Sequence, residues 1–287
     1  QACRRLADEH DLPMQIHLAE TKVQALSGVQ RYGCSLTAHL DRLGVLGQRL
    51  SVAHAVWIDD EDMRRLAATG TSVVHNPASN LRLGSGLAPI AALADHGVNL
   101  GLGTDACNTS DHLNMFEAQR LASFVSRVST FDTERWLGPD DVFRMATTGS
   151  AAAIGDGSRI GRIAPGHLAD IVLLDLGHVH YWPLNDPLTQ LVFSENGAAV
   201  TDVLVGGRRV LVDRRLPGLD VAAIRRKVET AAARLHEASA KDAAFIRSIE
   251  GPIRAFARQR VGEPDHGCRH LGGSGARLGS DAEAGSH

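Results

Sequence analysis

Aromatic side chains are scarce in this sequence, and neither sign of charge dominates it. Phe, Trp and Tyr make up 4% of the 287 residues, and the formal net charge is -3 at pH 7. A platform for stacked nucleic-acid bases needs aromatic side chains, and attraction to phosphates needs a basic excess. The composition therefore predicts no nucleic-acid partner and no electrostatic attraction to an anionic membrane.

The sequence also lacks the marks of secretion and of membrane insertion. Its four cysteines form no C-x-x-C pair, the first residues do not resemble a signal peptide, and no apolar run approaches the ~20 residues of a membrane span. We expect a cytoplasmic protein without membrane contact. There is no initiator Met, and the opening QACRRLADEHDLP has the pattern of a mid-helix segment. This predicts that the chain starts part-way through a longer protein.

Short apolar runs alternate with amphipathic patterns over the first 160 residues. Four runs rich in Val, Ile and Leu predict strands within 14–20, 49–56, 71–77 and 98–105. Helical patterns extend from the first strand to about Leu43, and then over 59–70, 88–97, 113–128 and 138–155. Four strand–helix units in a row predict a parallel sheet with crossover helices. The number of units is half that of a (β/α)8 barrel.

The pattern changes after residue 160. Short strands with Gly-Gly and Pro-Gly turns predict a small β domain over 161–217, in which GGRR (206–209) is a turn. An amphipathic helix over 220–238 places C-terminal helices in 218–261. The remainder, 262–287, is rich in Gly, Arg, His and Ser without periodicity, and predicts a disordered tail. Residues 1–160 would form the α/β domain.

Reactive side chains occur near the ends of all four predicted parallel strands. His17, His54, His75 and Asp105 fall there in order along the chain. Because the carboxyl ends of parallel strands share one face, these side chains should converge, and in barrels that face holds the active site. Glu20 follows His17 by three residues, where a carboxylate can act as acid or base beside a metal. Its alternative role is a charge at the start of the next helix.

Four segments resemble the amidohydrolase superfamily, most of all its aminohydrolase branch of guanine, cytosine, S-adenosylhomocysteine and pterin deaminases and triazine hydrolases. They are HLAET (17–21), SVAHAVWIDDED (51–62), VVHNPASNLRLGSGLAPI (73–90) and LGLGTDACNTSDHLNMFEAQR (100–120). The resemblance extends to GRIAPGHLADIVLLD in the small domain. It implies an α/β fold with the C-terminal half of a (β/α)8 TIM-type barrel and part of a composite β domain. It also implies that a homodimer is the expected assembly.

The resemblance further implies a role for each site residue. His17 and Asp105 would bind the metal, and Glu20 would shuttle protons. His54 would contact the activated water or the substrate, and Asp105 would help to deprotonate that water. Asn80 and His75 are weaker candidates for substrate binding.

The metal-ligand set implied by the family is incomplete in this sequence. The family's first strand ends in H-x-H, and no such pair precedes His17. The pair His178-Val179-His180 lies in the small domain and is expected in a surface loop. The expected metal is Zn²⁺, although histidine and carboxylate ligands also suit Fe²⁺.

The implied reaction is metal-dependent hydrolytic deamination of a small N-heterocycle, such as a purine, pterin, pyrimidine or triazine. Two alternatives stay open at this point. The same site could remove chloride or an alkylamine, or could hydrolyse a cyclic amide. The chain could also be an inactive fragment that lacks the H-x-H ligands.

Overall fold

The computed structural model describes residues 2–261, which form two compact units. One contains residues 2–168 and 176–199, and the other contains 169–175 and 200–261. Residues 161–168 and 176–199, which lie within the small β domain predicted over 161–217, group with the first unit. The predicted disordered tail, 262–287, lies outside the described residues.

A parallel four-stranded sheet forms the centre of the first unit, with strand order β1-β2-β3-β4. The strands are β1 (Met14–Leu18), β2 (Leu50–His54), β3 (Ser72–His75) and β4 (Leu100–Leu102). Each lies within the range predicted from the sequence. Pairing is in parallel register, with Leu18 opposite His54 and His75 opposite Leu102. The carboxyl ends of the strands therefore meet at one edge of the sheet.

Helices connect and flank these strands. In chain order they are α1 (Ala2–Glu9), α2 (Lys22–Tyr32), α3 (Leu36–Arg42), α4 (Asp60–Thr69), α5 (Pro77–Arg82), α6 (Ile90–Asp95), α7 (Cys107–Ser110), α8 (Met115–Ser129), α9 (Pro139–Arg144), α10 (Ser150–Ala153) and α11 (Pro187–Phe193). Single 3₁₀ turns cover Thr133–Arg135 and Val179–Tyr181.

Local capping signals decide where α4 begins and ends. The side chain of Asp59 accepts a hydrogen bond from the backbone N–H of Asp62, and the first turn is acidic, which favours a helix N-terminus. At the other end Gly70 adopts a φ of 71° and donates its N–H to the carbonyl of Ala67. Only a residue that tolerates a positive φ closes a helix in this way.

The helical stretch predicted from the end of β1 to about Leu43 is two helices. Gly33 ends α2 with a φ of 66°, and the Ser35 hydroxyl accepts from the N–H of Ala38 to begin α3. A left-handed glycine followed closely by a serine N-cap is a strong stop-and-restart signal. Because the apolar periodicity continues across the break, the sequence pattern predicts one helical stretch where the structure has two helices.

The predicted helix over 138–155 contains a π-helical turn, Met145–Gly149, between α9 and α10. This turn packs directly on β4. The Ser150 hydroxyl accepts from the backbone N–H of Leu102 and lies 3.2 Å from its carbonyl oxygen. The helix and the strand can approach this closely only because residue 149 is glycine. A Cβ at this position would lie 2.0 Å from the Leu100 carbonyl oxygen.

The apolar core lies between the sheet and the surrounding helices. Every residue of β2, β3 and β4 is buried. Leu66 of α4 and Leu93 of α6 are fully buried in the same cluster as Val52 and Val73. At ~25 cal/mol per Å² of buried apolar surface, such side chains contribute most of the stability of the unit. In contrast, Gln15, Ile16 and His17 of β1 are exposed.

A buried carboxylate organises the end of segment 176–199. Oε1 of Glu195 accepts backbone N–H groups from Asn196, Gly197 and Ala199 at 3.0, 2.6 and 3.2 Å. Burial alone would raise the pKa of Glu195, but these donors outweigh it and hold the pKa below its ordinary value. The charge is therefore part of the folded structure of this loop.

The second unit contains an antiparallel sheet with strand order β5-β6-β7, followed by two helices. Its elements are β5 (Ile171–Leu174), β6 (Val200–Val205), β7 (Arg208–Leu211), α12 (Val221–Ala238) and α13 (Ala240–Val261). Gly206 and Gly207, with φ of 56° and 82°, form the hairpin turn predicted at GGRR. No helix within residues 2–261 is long and apolar enough to cross a membrane.

Candidate active site

Three predicted site residues converge at the carboxyl edge of the parallel sheet. Ligand-type atoms of His17, His54 and Asp105 all lie within 4.8 Å of one another. The rings of His17 and His54 stack with their centroids 5.1 Å apart, and His54 Nε2 is 3.8 Å from Asp105 Oδ2. Strands β1 and β2 and the turn after β4 each contribute one residue. The structure therefore brings together side chains that are far apart in the sequence.

Glu20 lies at the same edge, in the turn between β1 and α2. Its Oε2 is 4.0 Å from His54 Nε2. Helix α2 begins after Thr21, whose hydroxyl accepts from the N–H of Gln24, so Glu20 precedes the helix cap instead of occupying the first turn. This position weakens the alternative that its charge serves mainly to stabilise the helix N-terminus.

The backbone is unusual where these side chains emerge. His54 and Asp105 adopt φ of 72° and 59°, and Ala19 and Ala55 adopt 46° and 47°. A non-glycine residue in this region costs on the order of 1–3 kcal/mol, and such residues concentrate at functional sites. These positive angles turn each strand end sharply, and two of them belong to the converging side chains themselves.

Asp105 is held as a carboxylate by its surroundings. The Ser79 hydroxyl donates to Asp105 Oδ2 at 2.6 Å, and the backbone N–H of Ala106 donates to Oδ1 at 2.7 Å. Partial burial would raise the pKa of Asp105, but these two donors, together with His54, lower it below the ordinary value. The group is thus ionised over a wide pH range, as a metal ligand must be.

Asn80 and His75 are both buried beside this cluster. Asn80 is 2% exposed and its Oδ1 lies 2.8 Å from His54 Nδ1. His75 is 1% exposed, and neither ring nitrogen has a hydrogen-bond partner within the described chain. Their direct role in substrate binding stays a prediction. Ser79, one residue before Asn80, is a site contact that the sequence pattern does not single out, although its place directly after β3 is a signal that points to the site.

The pair His178 and His180 is not part of the cluster. Their rings pack edge to face with centroids 4.4 Å apart, around a 3₁₀ turn whose Val179 is exposed. His180 Nδ1 lies 3.9 Å from Glu195 Oε2, a carboxylate of the same segment 176–199 and not of the candidate site.

The buried imidazole of His75 predicts a pH dependence of stability. Burial, reinforced by the neighbouring His54, lowers the pKa of His75 from about 6.5 to about 3. Below about pH 6.5 the His75 side chain is protonated in the unfolded state but stays neutral in the folded state. The free energy of unfolding therefore falls progressively as the pH is lowered to about 3. We expect the urea midpoint of His75→Leu to decrease less than that of the unaltered protein as the pH is lowered between these two values.

The control for this prediction is His236→Leu, which removes a histidine from the exposed surface of α12. Urea unfolding at a series of pH values would be followed for both variants and for the unaltered protein. An unchanged pH slope in His75→Leu would show that His75 does not carry this linkage.

Comparison with known proteins identifies the family of the chain. The model of the amidohydrolase family matches residues 1–210. The chain is 36% identical over 226 residues to the 5-methylthioadenosine/S-adenosylhomocysteine deaminase of Syntrophobacter fumaroxidans, covering 79% of this chain and 51% of that protein. It is 40% identical over 230 residues to the 5'-deoxyadenosine deaminase of Methanothermobacter thermautotrophicus, covering 80% and 53%.

Solved structures give the same result. An adenosine deaminase from Xanthomonas campestris with bound zinc matches with a TM-score of 0.79 at 37% identity, covering 82% of this chain and 53% of that one. Atrazine chlorohydrolase from Arthrobacter aurescens, complexed with zinc, matches with a TM-score of 0.75 at 28% identity, covering 79% and 50%. The chain spans about half the length of the relatives it matches. On the family match and these identities, the chain belongs to the amidohydrolase family.

Proposed function

We propose that the protein carrying this chain hydrolytically deaminates adenine-type nucleosides with the help of bound zinc. The observation that carries the proposal is the convergence of His17, Glu20, His54 and Asp105 at one sheet edge. Relatives named as deaminases of 5'-modified adenosines support the substrate class. The whole reaction requires an ion, a proton acceptor for water and a proton donor for the leaving nitrogen.

The donor set suits a single zinc ion. Zinc bonds of about 2.0–2.2 Å place ligand atoms up to about 4 Å apart, a scale close to the spread of the His17, His54 and Asp105 atoms. The buried His54 Nε2 has no hydrogen-bond partner among the described residues and faces Asp105. His17 and Asp105 would hold the ion, and His54 lies near enough to bind it or to orient a water beside it. Zinc-bound relatives support this assignment.

Each of these side chains has a role in the proposed reaction. Zinc, when bound, supplies Lewis-acid activation of a water molecule. The ionised Asp105 would accept a proton from the attacking water. Glu20 enters the reaction as the acid and gives its proton to the ring nitrogen as the C–O bond forms. It then takes the proton of the new hydroxyl group and passes it to the amino nitrogen as the C–N bond breaks and ammonia leaves, and the proton held by Asp105 restores Glu20. His54 orients the attacking oxygen from its buried position.

We infer that β1–β4 are the second four strands of a (β/α)8 barrel. The order of the motifs along the chain, with H-x-x-E first, then His, then Asp, matches the family order for its fifth, sixth and eighth strands. The resemblance places an H-x-H pair on the first barrel strand, which would complete the ligand set.

A substrate panel tests the activity of the protein. We expect ammonia release from 5'-methylthioadenosine, S-adenosylhomocysteine or 5'-deoxyadenosine, and loss of that activity after zinc is removed by chelation. The likeness to atrazine chlorohydrolase makes triazine hydrolysis the second candidate. Chloride release from atrazine, with no ammonia from any nucleoside, would replace the first candidate by the second.

Removing a ligand tests the metal assignment separately. We expect Asp105→Asn to weaken zinc binding by more than the roughly 10–100-fold that loss of an outer-shell partner costs, because it removes a charged ligand. The matched control is Asp111→Asn, which changes an exposed aspartate that pairs with Arg82 and also has a positive φ. Zinc affinity measured by competition with a chelator would decide. Equal zinc affinity in Asp105→Asn and Asp111→Asn would show that Asp105 is not a zinc ligand.

A further inference from the structure

Two adjacent side chains of α5 each contact a different residue of the candidate site. Ser79 and Asn80 are 0% and 2% exposed. The Ser79 hydroxyl donates to Asp105 Oδ2 at 2.6 Å, and Asn80 Oδ1 lies 2.8 Å from His54 Nδ1. One short turn after β3 therefore contacts site residues that come from β2 and from the turn after β4.

The contact to Asn80 determines the chemical state of the His54 ring. Asn80 Oδ1 lies 2.8 Å from His54 Nδ1, and an amide oxygen only accepts hydrogen bonds, so the contact is a hydrogen bond when Nδ1 carries the proton. A neutral ring protonated at Nδ1 presents a lone pair at Nε2. That nitrogen faces the Glu20 and Asp105 carboxylates at 4.0 and 3.8 Å. The lone pair is therefore directed into the space where the reaction is proposed to occur.

The two residues held by this turn have strained backbones. His54 and Asp105 both adopt positive φ, which persists only where surrounding contacts over-determine the conformation. Ser79 and Asn80 supply a hydrogen bond to each of them. The amide nitrogen of Asn80 is buried without a hydrogen-bond partner among the described residues, so the contact to His54 is the side-chain hydrogen bond that the structure shows for this amide.

We propose that Ser79 and Asn80 form one positioning unit for the active site. Asn80 holds His54 as the Nδ1-protonated tautomer with Nε2 turned toward Glu20 and Asp105, and Ser79 fixes the carboxylate of Asp105. The catalytic consequence rests on the proposed function, whereas the tautomer does not. The unit acts through its neighbours, and neither member needs to touch the substrate.

The tautomer of His54 is directly measurable. Protein labelled with ¹⁵N-histidine would be studied without metal or substrate at about pH 8.5, above the ordinary histidine pKa of about 6.5. Long-range ¹H–¹⁵N spectra separate a protonated ring nitrogen from one with a lone pair, and His54→Gln identifies the signals. We expect Nδ1 protonated in the unaltered protein. A proton on Nε2 would overturn the proposal.

Replacing the amide tests its control of the ring. In Asn80→Leu, which has similar size and no acceptor, we expect the Nδ1-protonated form to lose its dominance. Asn80→Asp keeps an oxygen in place and should retain that tautomer. If the leucine variant does not fold, the aspartate variant still tests whether an acceptor at position 80 keeps the proton on Nδ1. An unchanged tautomer in Asn80→Leu, or its loss in Asn80→Asp, contradicts the proposal.

The matched control removes a comparable amide from the opposite end of the sheet. Asn99 precedes β4 and donates to the Ser72 hydroxyl and the Gly149 carbonyl. Asn99→Leu should leave the His54 signals unchanged. If it alters them as Asn80→Leu does, the effect of Asn80 is general loosening of the fold.

The kcat and KM of Asn80→Leu test whether the position of the His54 ring affects catalysis. Removal of an outer-shell partner typically costs about 10–100-fold, and we expect a fall of this size in kcat for Asn80→Leu with KM within about twofold. A change in KM alone would assign Asn80 to substrate binding instead. If no substrate of the panel is turned over, the proposed function fails while the spectroscopic result still stands.

Discussion

Replacing Glu20 by glutamine is expected to lower turnover by about 10²–10⁴-fold while zinc remains bound. General acid–base catalysis by a positioned side chain contributes a factor of this size. The amide keeps the shape of the side chain and one oxygen, but it cannot deliver a proton to a ring nitrogen or to departing ammonia. Because Glu20 is not one of the three clustered ligand residues, zinc content should be unaffected.

The measurement is kcat for ammonia release, with zinc content determined on the same samples. A matched control is Glu61→Gln on α4, which removes an exposed carboxylate that pairs with Arg64 and Arg65 and has no part in the site. We expect the control to retain full turnover. Turnover in Glu20→Gln within a fewfold of that in Glu61→Gln would exclude Glu20 from proton transfer.

The size of the effect also separates the two roles considered for Glu20. A charge that only stabilises a helix N-terminus is worth about 0.3–1 kcal/mol of stability and does not enter the rate of the chemical step. Helix α2 has its own cap in Thr21 and no acidic residue in its first turn. Loss of stability without loss of kcat would support the capping role, whereas loss of kcat with unchanged stability supports proton transfer.

The sequence was a good guide to the parallel strands and to the edge where reactive groups gather. Strand-end positions for His17, His54 and His75 follow from short apolar runs that alternate with helical patterns. Parallel register then brings these ends together. Such regular features need no knowledge of side-chain packing, which is why the pattern alone located them.

Features that depend on close packing between distant segments were not accessible in this way. The hydrogen bond from Ser79 to Asp105 spans 26 residues, and the assignment of residues 176–199 to the first unit depends on tertiary grouping. Likewise, the split between α2 and α3 depended on Gly33, whose stop signal was masked by continuing periodicity. For Ser79 and for segment 176–199 the contacting residues lie far away in the sequence, whereas the α2–α3 break is marked by local hydrogen bonds of Gly33 and Ser35.

The π-helical turn is a further feature of this kind, and it gives the largest expected effect on stability. The Cβ of an alanine at position 149 would lie 2.0 Å from the carbonyl oxygen of Leu100 and 3.1 Å from its carbonyl carbon. Both are backbone atoms of the buried edge strand β4, so no side-chain rotation relieves the overlap. Gly149 has a φ of -65°, so the clash, and not the backbone conformation, is the cause.

We expect Gly149→Ala to lower the free energy of unfolding by about 3 kcal/mol or more, at the upper end of the cost of overpacking. The measurement is the urea midpoint of purified protein, compared with Gly251→Ala in α13. At Gly251 an added Cβ meets nothing within 4 Å. Alanine is the better helix former, but Pro252 disfavours a Cβ on the preceding helical residue, so we expect these opposed effects to leave the free energy of unfolding changed by less than about 1 kcal/mol.

The same substitution links the fold to the site. Ser150 bonds the backbone of Leu102, and Asp105 follows three residues later, so separation of the π-helical turn from β4 should displace the aspartate. In the folded fraction of Gly149→Ala, zinc affinity should therefore fall together with stability. A midpoint equal to that of the unaltered protein would show that the approach of this turn to β4 is looser than the structure describes. Lost stability with unchanged zinc affinity would instead separate this packing contact from the position of Asp105.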